Sequence, residues 1–167
     1  MTEREGSVKA SYRFAEWAGR TKEVHRDIRH FVINSNDLEK YTLQEHEDLP
    51  PSDRQRRIVR YIFNPADEDA RRRLIATVFE CHSVRDAHET LIEVVAHYMA
   101  PYLPRCETKG LEVGDICFGG HGPVSINVIF ARFNILIELK STSLDGPEVD
   151  ELARGIDFLI VNWPPPF

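Results

Sequence analysis

The feature that most constrains the fold of this chain is an arrangement that occurs twice: two strand-like runs, a turn between them, and then an amphipathic helix. The first copy runs from about Arg56 to Met99 and the second from about Ser125 to Ile160. Two such units can pair their strands in one antiparallel sheet and place both helices on it. The copies share a pattern but not residue types, so convergent use of a hairpin followed by a helix explains them as well as duplication does.

The first copy carries clear strand, turn and helix signals. Its apolar residues alternate with other side chains in the pattern of a strand, at Val59, Tyr61 and Phe63. Residues 64–69 have the Asn, Pro and Asp chemistry of a turn, and residues 74–81 form a second run rich in strand formers. Ser83, with Asp86 three residues later, predicts a capping box, and Pro101 ends the helix behind it.

The second copy needs an internal break. Residues 125–140 are too many for one ordinary strand, so we predict a turn near Asn134, a residue type that tolerates a positive φ. Phe133 is unusual in a tight turn, which leaves a bulge in one long strand as the alternative. A short strand is expected at 115–118, and Pro147 is predicted as the first residue of the last helix.

Residues 1–50 are harder to interpret. A helix is predicted over 21–33 from apolar residues at helical spacing, namely Val24, Ile28, Phe31 and Val32. Asp37 predicts the cap of a second short helix that runs through Leu43, while residues 8–17 fit a strand or a helix equally well.

These elements predict a single α+β domain over residues 1–167, with an antiparallel sheet of five or six strands and helices mainly on one face. Within it, residues 1–50 form a helical or irregular part and residues 54–162 form the sheet with two helices. Residues 163–167 are predicted to be an extended tail.

Composition excludes some functions. The formal net charge of −6 argues against general nucleic-acid binding. No stretch approaches the ~20 apolar residues that span a bilayer, so no membrane partner is expected. The N-terminus lacks the apolar core of a secretory signal, and three cysteines without a CxxC pair favour reduced thiols. Together these observations predict a cytoplasmic protein.

Arginine is concentrated around the first hairpin. Seven of the 21 basic residues lie within residues 54–73, against three acids. If the hairpin closes at Pro65, the two arginine groups flank the same region of the sheet and could bind an acidic partner or phosphate. The candidate partner-binding residues are Arg56, Arg57, Arg60, Arg71, Arg72 and Arg73. The alternative is a solvated face paired to the protein's own acids, such as Glu45, Glu47 and Asp48.

Cys117 and His121 are weak candidates for thiol catalysis. Cys117 precedes a glycine-rich stretch that contains His121, and glycines let backbone N–H groups approach a substrate. The alternative is that Cys117 is a small buried hydrophobic residue. The same two residues come nearest to metal-ligand spacing, but without the close pairs of a structural zinc site. We predict neither a metal nor another cofactor.

The first hypothesis for function is therefore a non-enzymatic binding or protein-interaction domain, whose partner is another protein or a second copy of this chain. The alternative is a small-molecule pocket protein or an enzyme that uses Cys117 and His121. Aromatic residues could line such a pocket, although they more often fill a core; they are Tyr61, Phe63, Phe79, Tyr98, Phe118 and Phe130.

Overall fold

The computed structural model describes residues 1–30, 33, 41–66, 70–98, 111–119, 127–142 and 149–162. These residues form three α-helices, which are α1 (Glu3–Ser11), α2 (Val84–His97) and α3 (Asp150–Asn162). Three short 3₁₀ helices occupy Phe14–Arg20, Ile28–His30 and Ala70–Arg72. The strands are β1 (Tyr41–Leu49), β2 (Gln55–Pro65), β3 (Leu74–Cys81), β4 (Ile116–Gly119), β5 (Asn127–Arg132) and β6 (Ile135–Ser141).

All six strands belong to one sheet, in the order β1-β2-β3-β6-β5-β4. Every neighbouring pair is antiparallel, so the predicted α+β class and antiparallel sheet are confirmed. The two predicted hairpins, β2–β3 and β5–β6, are joined at the centre by pairing of β3 with β6. Within the described residues, no helix is long and apolar enough to cross a membrane.

The helices are divided between the two faces of the sheet. The α3 face, which includes Val59, Phe130 and Ile137, packs against α3. The α2 face, which includes Ile129 and Leu136, packs against α2, α1 and the 3₁₀ helix Phe14–Arg20. Two of the three described α-helices and the 3₁₀ helix Phe14–Arg20 thus lie on one face, as predicted, and α3 lies on the other.

The division also bears on the apparent repeat. Because β3 and β6 are antiparallel neighbours, a two-fold axis that exchanged them would be perpendicular to the sheet. Such an axis would keep α2 and α3 on the same face. Because they lie on opposite faces, the suggested ββα halves are not confirmed as symmetric units.

The capping signal before α2 is present in the structure. The Asp86 N–H donates to the Ser83 side-chain oxygen at 3.0 Å, so Ser83 is the N-cap. The Asp86 carboxylate accepts from the Ser83 hydroxyl at 2.7 Å. The helix ends at His97, just before Tyr98 leaves helical geometry.

The break between β5 and β6 is also where it was predicted, but the positive φ falls on Phe133, at 56°, rather than on Asn134. Arg132 pairs with Ile135, so the turn has two residues, and a positive φ at the first of them alone is the pattern of a type II′ turn. The Asn134 side chain binds elsewhere. It donates to the carbonyls of Arg26 and Cys81 at 2.9 and 3.1 Å and accepts from the Arg26 N–H at 2.6 Å. The Phe133 N–H in turn donates to Asp115 at 2.9 Å.

The predicted helix over 21–33 is wrong for most of its length. Residues 21–27 are not helical, and only Ile28–His30 forms a 3₁₀ turn. The Ile28 N–H donates to the buried Glu80 carboxylate at 3.1 Å, so distant side chains supply the partners that a helix would otherwise provide. Residues 31 and 32 lie outside the described part.

Other described parts of residues 1–50 cover or extend the sheet. The ambiguous stretch 8–17 is helical, in α1 and in the following 3₁₀ helix. The predicted helix from Asp37 through Leu43 is wrong from Tyr41 onward, because β1 begins there and pairs with β2. Residues 34–40, the predicted start of the last helix at Pro147 and the tail 163–167 lie outside the described residues.

Candidate functional site

The arginines of the first hairpin do not form one surface. Arg57 and Arg60 are three residues apart on β2, so they lie on opposite faces of the sheet. Arg57 is opposite Glu80, at one end of the hairpin, whereas Arg73 precedes the first residue of β3 at the other end. The two ends are six residues apart along the strand, a distance of about 20 Å. The expectation that the two groups flank one region of the sheet is therefore wrong.

Several of these arginines are paired within the protein. Arg57 donates to Asp48 at 2.9 Å and Arg60 to Glu47 at 3.1 Å, as the alternative interpretation of the charge run anticipates. The hydrogen bond from Arg57 holds the pKa of the Asp48 carboxyl below its usual value. Arg56 donates to His82 Nδ1 at 3.2 Å. Exposed pairs of this kind contribute little to stability.

The Arg71–Arg73 segment is tied to β6 through its backbone. The Thr142 hydroxyl contacts the carbonyl oxygens of Arg71 and Arg73 at 2.8 and 3.2 Å. This contact orders the turn before β3 without using the guanidinium groups.

Cys117 lies inside the core rather than at a surface. Its side chain is 1% exposed on β4, among the residues of the α3 face. Its sulfur lies 3.9 Å from the Phe118 carbonyl oxygen. A thiol in this position is out of reach of a substrate in solution. His121, the other residue of the suggested pair, lies outside the described residues.

Cys81 is likewise inert. It is fully buried, and burial raises the pKa of its thiol to about 12, so the thiolate is scarcely populated at neutral pH. Among the residues that the structure describes, no three His, Cys, Asp or Glu side chains converge as a metal site would require.

The predicted aromatic residues are divided between the two cores. Tyr61, Phe63 and Phe130 pack on the α3 face and Phe118 on the α2 face. Only Phe79 and Tyr98 border an open groove. The interpretation that aromatic residues mostly fill the core therefore describes four of the six.

That groove lies between α2 and the part of the α2 face that no described helix covers. Its volume is about 680 Å³, within the range of ligand sites. We call it the α2 groove, and it is lined by Ser52, Gln55, Phe79, Thr90, Glu93, Val94, His97, Tyr98, Asn127, Glu138 and Lys140.

One end of the α2 groove is closed by a set of hydrogen bonds. Gln55, which is 5% exposed, donates to the Thr90 hydroxyl at 2.9 Å and accepts from the Ser52 N–H at 2.9 Å. These groups satisfy one another's hydrogen-bonding capacity. They therefore stabilise the wall of the groove and do not indicate a ligand site.

Beside this wall, the groove has a mixed apolar and polar floor. Phe79 and Val94 supply half-buried apolar surface. The Tyr98 hydroxyl donates to Glu138 at 2.5 Å, and burial together with the charge of Glu138 raises the pKa of Tyr98 far above its usual value. Tyr98 therefore stays protonated and keeps the Glu138 carboxylate oriented across the floor.

The other end of the groove carries two polar groups for which the described residues supply no partner. Asn127 and Lys140 are directly opposite each other on β5 and β6. Among the described residues, the buried Oδ1 of Asn127 accepts no hydrogen bond, and Lys140 forms no ion pair. An acceptor and a cationic donor thus lie side by side, available to a ligand that supplies one donor and one acceptor.

Sequence reasoning did not identify the α2 groove. A signal was present in β6, where Glu138 and Lys140 alternate with apolar residues although a helix must cover part of the sheet. That pattern marks strand positions that face out of the core. It does not show which of them lie beside α2.

The chain was compared with protein-family models, with curated proteins and with solved structures, and none of the three comparisons gave a match.

Proposed function

We propose that this protein is a non-enzymatic binding protein, and that the α2 groove receives an extended segment of a protein partner. The observation that carries the proposal is the adjacent pair of Asn127 and Lys140 at the edge of a half-apolar groove. No catalytic group is needed for this role.

A peptide backbone suits this pair of side chains. Each residue of a peptide other than proline offers one N–H donor and one carbonyl acceptor. The N–H matches the unpartnered Oδ1 of Asn127, and the carbonyl matches the ammonium group of Lys140. An apolar side chain on the same segment would then cover Phe79 and Val94, about four residues or 13 Å along the sheet from Lys140.

The charges of the groove select against a strongly acidic segment. Glu138 lies between Lys140 and Phe79 and is already oriented by Tyr98. Glu93, on the opposite wall, is engaged by Arg54 at 3.2 Å. A neutral or weakly basic segment avoids repulsion by the two carboxylates.

A second copy of this chain is a less suitable occupant of the sheet edge. The edge strand β1 carries Glu45, Glu47 and Asp48 in its second half. Two β1 strands paired side by side would bring these acids together, and like charges on neighbouring strands are destabilising. We therefore prefer a different protein as the partner.

The test is selection of peptides on the purified protein from a random displayed library. Enriched peptides should be synthesised and titrated against the wild type, Lys140→Glu and the matched control Lys22→Glu. Lys22 is exposed and lies outside the groove. We expect Lys140→Glu to weaken binding at least about tenfold, the effect of losing a charge-assisted hydrogen bond, and Lys22→Glu to leave it unchanged.

A further variant separates this proposal from the arginine hypothesis. Alanine at Arg71, Arg72 and Arg73 should leave the affinity of these peptides and its salt dependence unchanged. If the triple variant loses binding while Lys140→Glu retains it, the arginine cluster is the site and the groove is not. Failure to enrich any peptide would also count against the proposal.

A further inference from the structure

A second cavity lies at the other end of α2 and shares no lining residue with the α2 groove. It has a volume of about 470 Å³, between the 3₁₀ helix Phe14–Arg20 and the first two turns of α2. We call it the N-terminal cavity; its walls include Phe14, Thr21, Glu23, Val84, Arg85 and His88.

The central polar group of this cavity is His88. His88 is 3% exposed and lies on the buried side of α2. The ring packs edge-on against Trp17 at a centroid distance of 5.7 Å. Trp17 is itself fully buried and donates to the Tyr12 carbonyl at 3.0 Å, so this wall of the cavity is well fixed.

The hydrogen bonds around Thr21 determine which nitrogen of His88 carries the proton. The Thr21 hydroxyl donates its single hydrogen to the Trp17 carbonyl at 3.2 Å. His88 Nε2 lies 3.3 Å from the same hydroxyl oxygen. With the hydroxyl hydrogen directed to the Trp17 carbonyl, Nε2 is the donor in its contact with Thr21. In the neutral ring, Nδ1 is then an acceptor.

The neutral ring is the favoured form at neutral pH. Burial lowers the pKa of His88 below its ordinary value, and this outweighs the opposing charges of Asp115 and Glu89. Among the described residues, His88 Nδ1 has no hydrogen-bond partner. A ligand that donates to Nδ1 would therefore gain a hydrogen bond that the described residues do not supply.

The other walls of the N-terminal cavity define the rest of the ligand. Phe14 and Val84 supply apolar surface for a ring. Arg85 and Glu23 contribute opposite charges, so the cavity has no net preference for an anion or a cation. The volume admits a molecule of one or two rings.

We propose that the N-terminal cavity binds a small uncharged aromatic molecule that carries one O–H or N–H donor, and that His88 Nδ1 accepts this hydrogen bond. The site is independent of the proposed peptide groove. It also differs from the suggested thiol site, since Cys117 does not line the cavity.

The test uses phenol and toluene, which match in size but differ in the donor. Each is titrated into the ¹⁵N-histidine-labelled full chain, and binding is followed through the ring-nitrogen resonances. We expect phenol, but not toluene, to shift the Nδ1 resonance of His88 toward that of a hydrogen-bonded acceptor. His97 is exposed on the same helix and provides an internal reference.

A variant isolates the hydrogen bond from apolar contacts. His88→Phe keeps an aromatic ring beside Trp17 and removes both ring nitrogens, so it supplies no acceptor. The ratio of phenol affinity to toluene affinity should fall about tenfold in this variant. The ratio should not change in His97→Gln or in Lys140→Glu, whose positions lie outside the cavity.

Three results would overturn the proposal: no saturable binding of either probe, an Nδ1 resonance that does not move at saturating phenol, or an affinity ratio unchanged by His88→Phe. If His88→Phe does not fold, the resonance in the wild type decides the question. If Lys140→Glu loses peptide binding but still binds phenol, the two binding sites are independent of each other.

Discussion

Replacement of Asn134 by alanine should reveal how the N-terminal segment is held on the sheet. Asn134 is 1% exposed and bridges residues that are far apart in sequence. Its side chain accepts from the Arg26 N–H at 2.6 Å and donates to the carbonyls of Arg26 and Cys81 at 2.9 and 3.1 Å. Asn134→Ala removes all three bonds and leaves three backbone groups without that partner.

The expected loss can be worked out from those bonds. Each buried hydrogen bond contributes about 1 kcal/mol net, so the free energy of unfolding should fall by about 3 kcal/mol. The urea m-value of a domain this size is about 2 kcal/mol/M, which converts the loss into a midpoint lower by about 1.5 M. Urea unfolding followed by circular dichroism measures both quantities.

Asn162→Ala is the matched control. The Asn162 side chain makes one exposed hydrogen bond, to the Phe158 carbonyl at 2.8 Å, so its removal should change the free energy of unfolding by less than about 0.5 kcal/mol. A loss below about 1 kcal/mol in Asn134→Ala, with an unchanged m-value, would refute the reasoning. It would mean that Asn134 does not secure the segment at Arg26.

Other buried groups lead to equally specific expectations. Asp157→Asn should lower the free energy of unfolding by about 2 kcal/mol, because it weakens the two 2.7 Å bonds from Arg132; an unchanged urea midpoint would contradict this. Since burial lowers the pKa of His88, the unfolded state takes up the proton first as the pH falls below about 6.5, and stability should decline there. The difference between urea midpoints at about pH 7.5 and about pH 5.5 should be smaller in His88→Gln. Cys81 and Cys117 should resist iodoacetamide at about pH 8 until the chain is unfolded, as peptide mass spectrometry can show. Prompt labelling of Cys117 in the folded protein would contradict this prediction and support the thiol hypothesis.

The predictions that succeeded rest on short-range patterns. Alternating apolar residues predicted β2, and Ser83 predicted the start of α2, because a strand face or a helix cap is formed by residues only a few positions apart. The long run that became β5 and β6 was divided correctly for the same reason, since its length exceeds that of an ordinary strand.

The predictions that failed concern residues whose partners are distant in sequence. The spacing of Val24 and Ile28 fits a helix, yet the Ile28 N–H bonds to Glu80, 52 positions away. Glu80 looks like an ordinary strand residue in the sequence. No local pattern indicates that its carboxylate is buried and accepts a hydrogen bond from the N-terminal segment.

The candidate sites show the same limit. The arginine residues of the first hairpin were conspicuous in the sequence, but the strand geometry places them on different faces and at different ends. Lys140 and Asn127 were not conspicuous, because only the pairing of β5 with β6 brings them together. His88 acquires its tautomer from Thr21, a contact across 67 positions.

The sequence by itself determined the α+β class, the central hairpins and the capped helix α2, because periodicity and capping act between near neighbours. Only the tertiary structure decided that α2 and α3 lie on opposite faces, that residues 21–27 are not helical, and that a groove and a cavity flank α2. Those features depend on which side chains that are distant in sequence form contacts. Burial of apolar surface is non-directional, so it favours many such contacts almost equally. The buried hydrogen bonds of Asn134, Glu80 and Thr21 select among them.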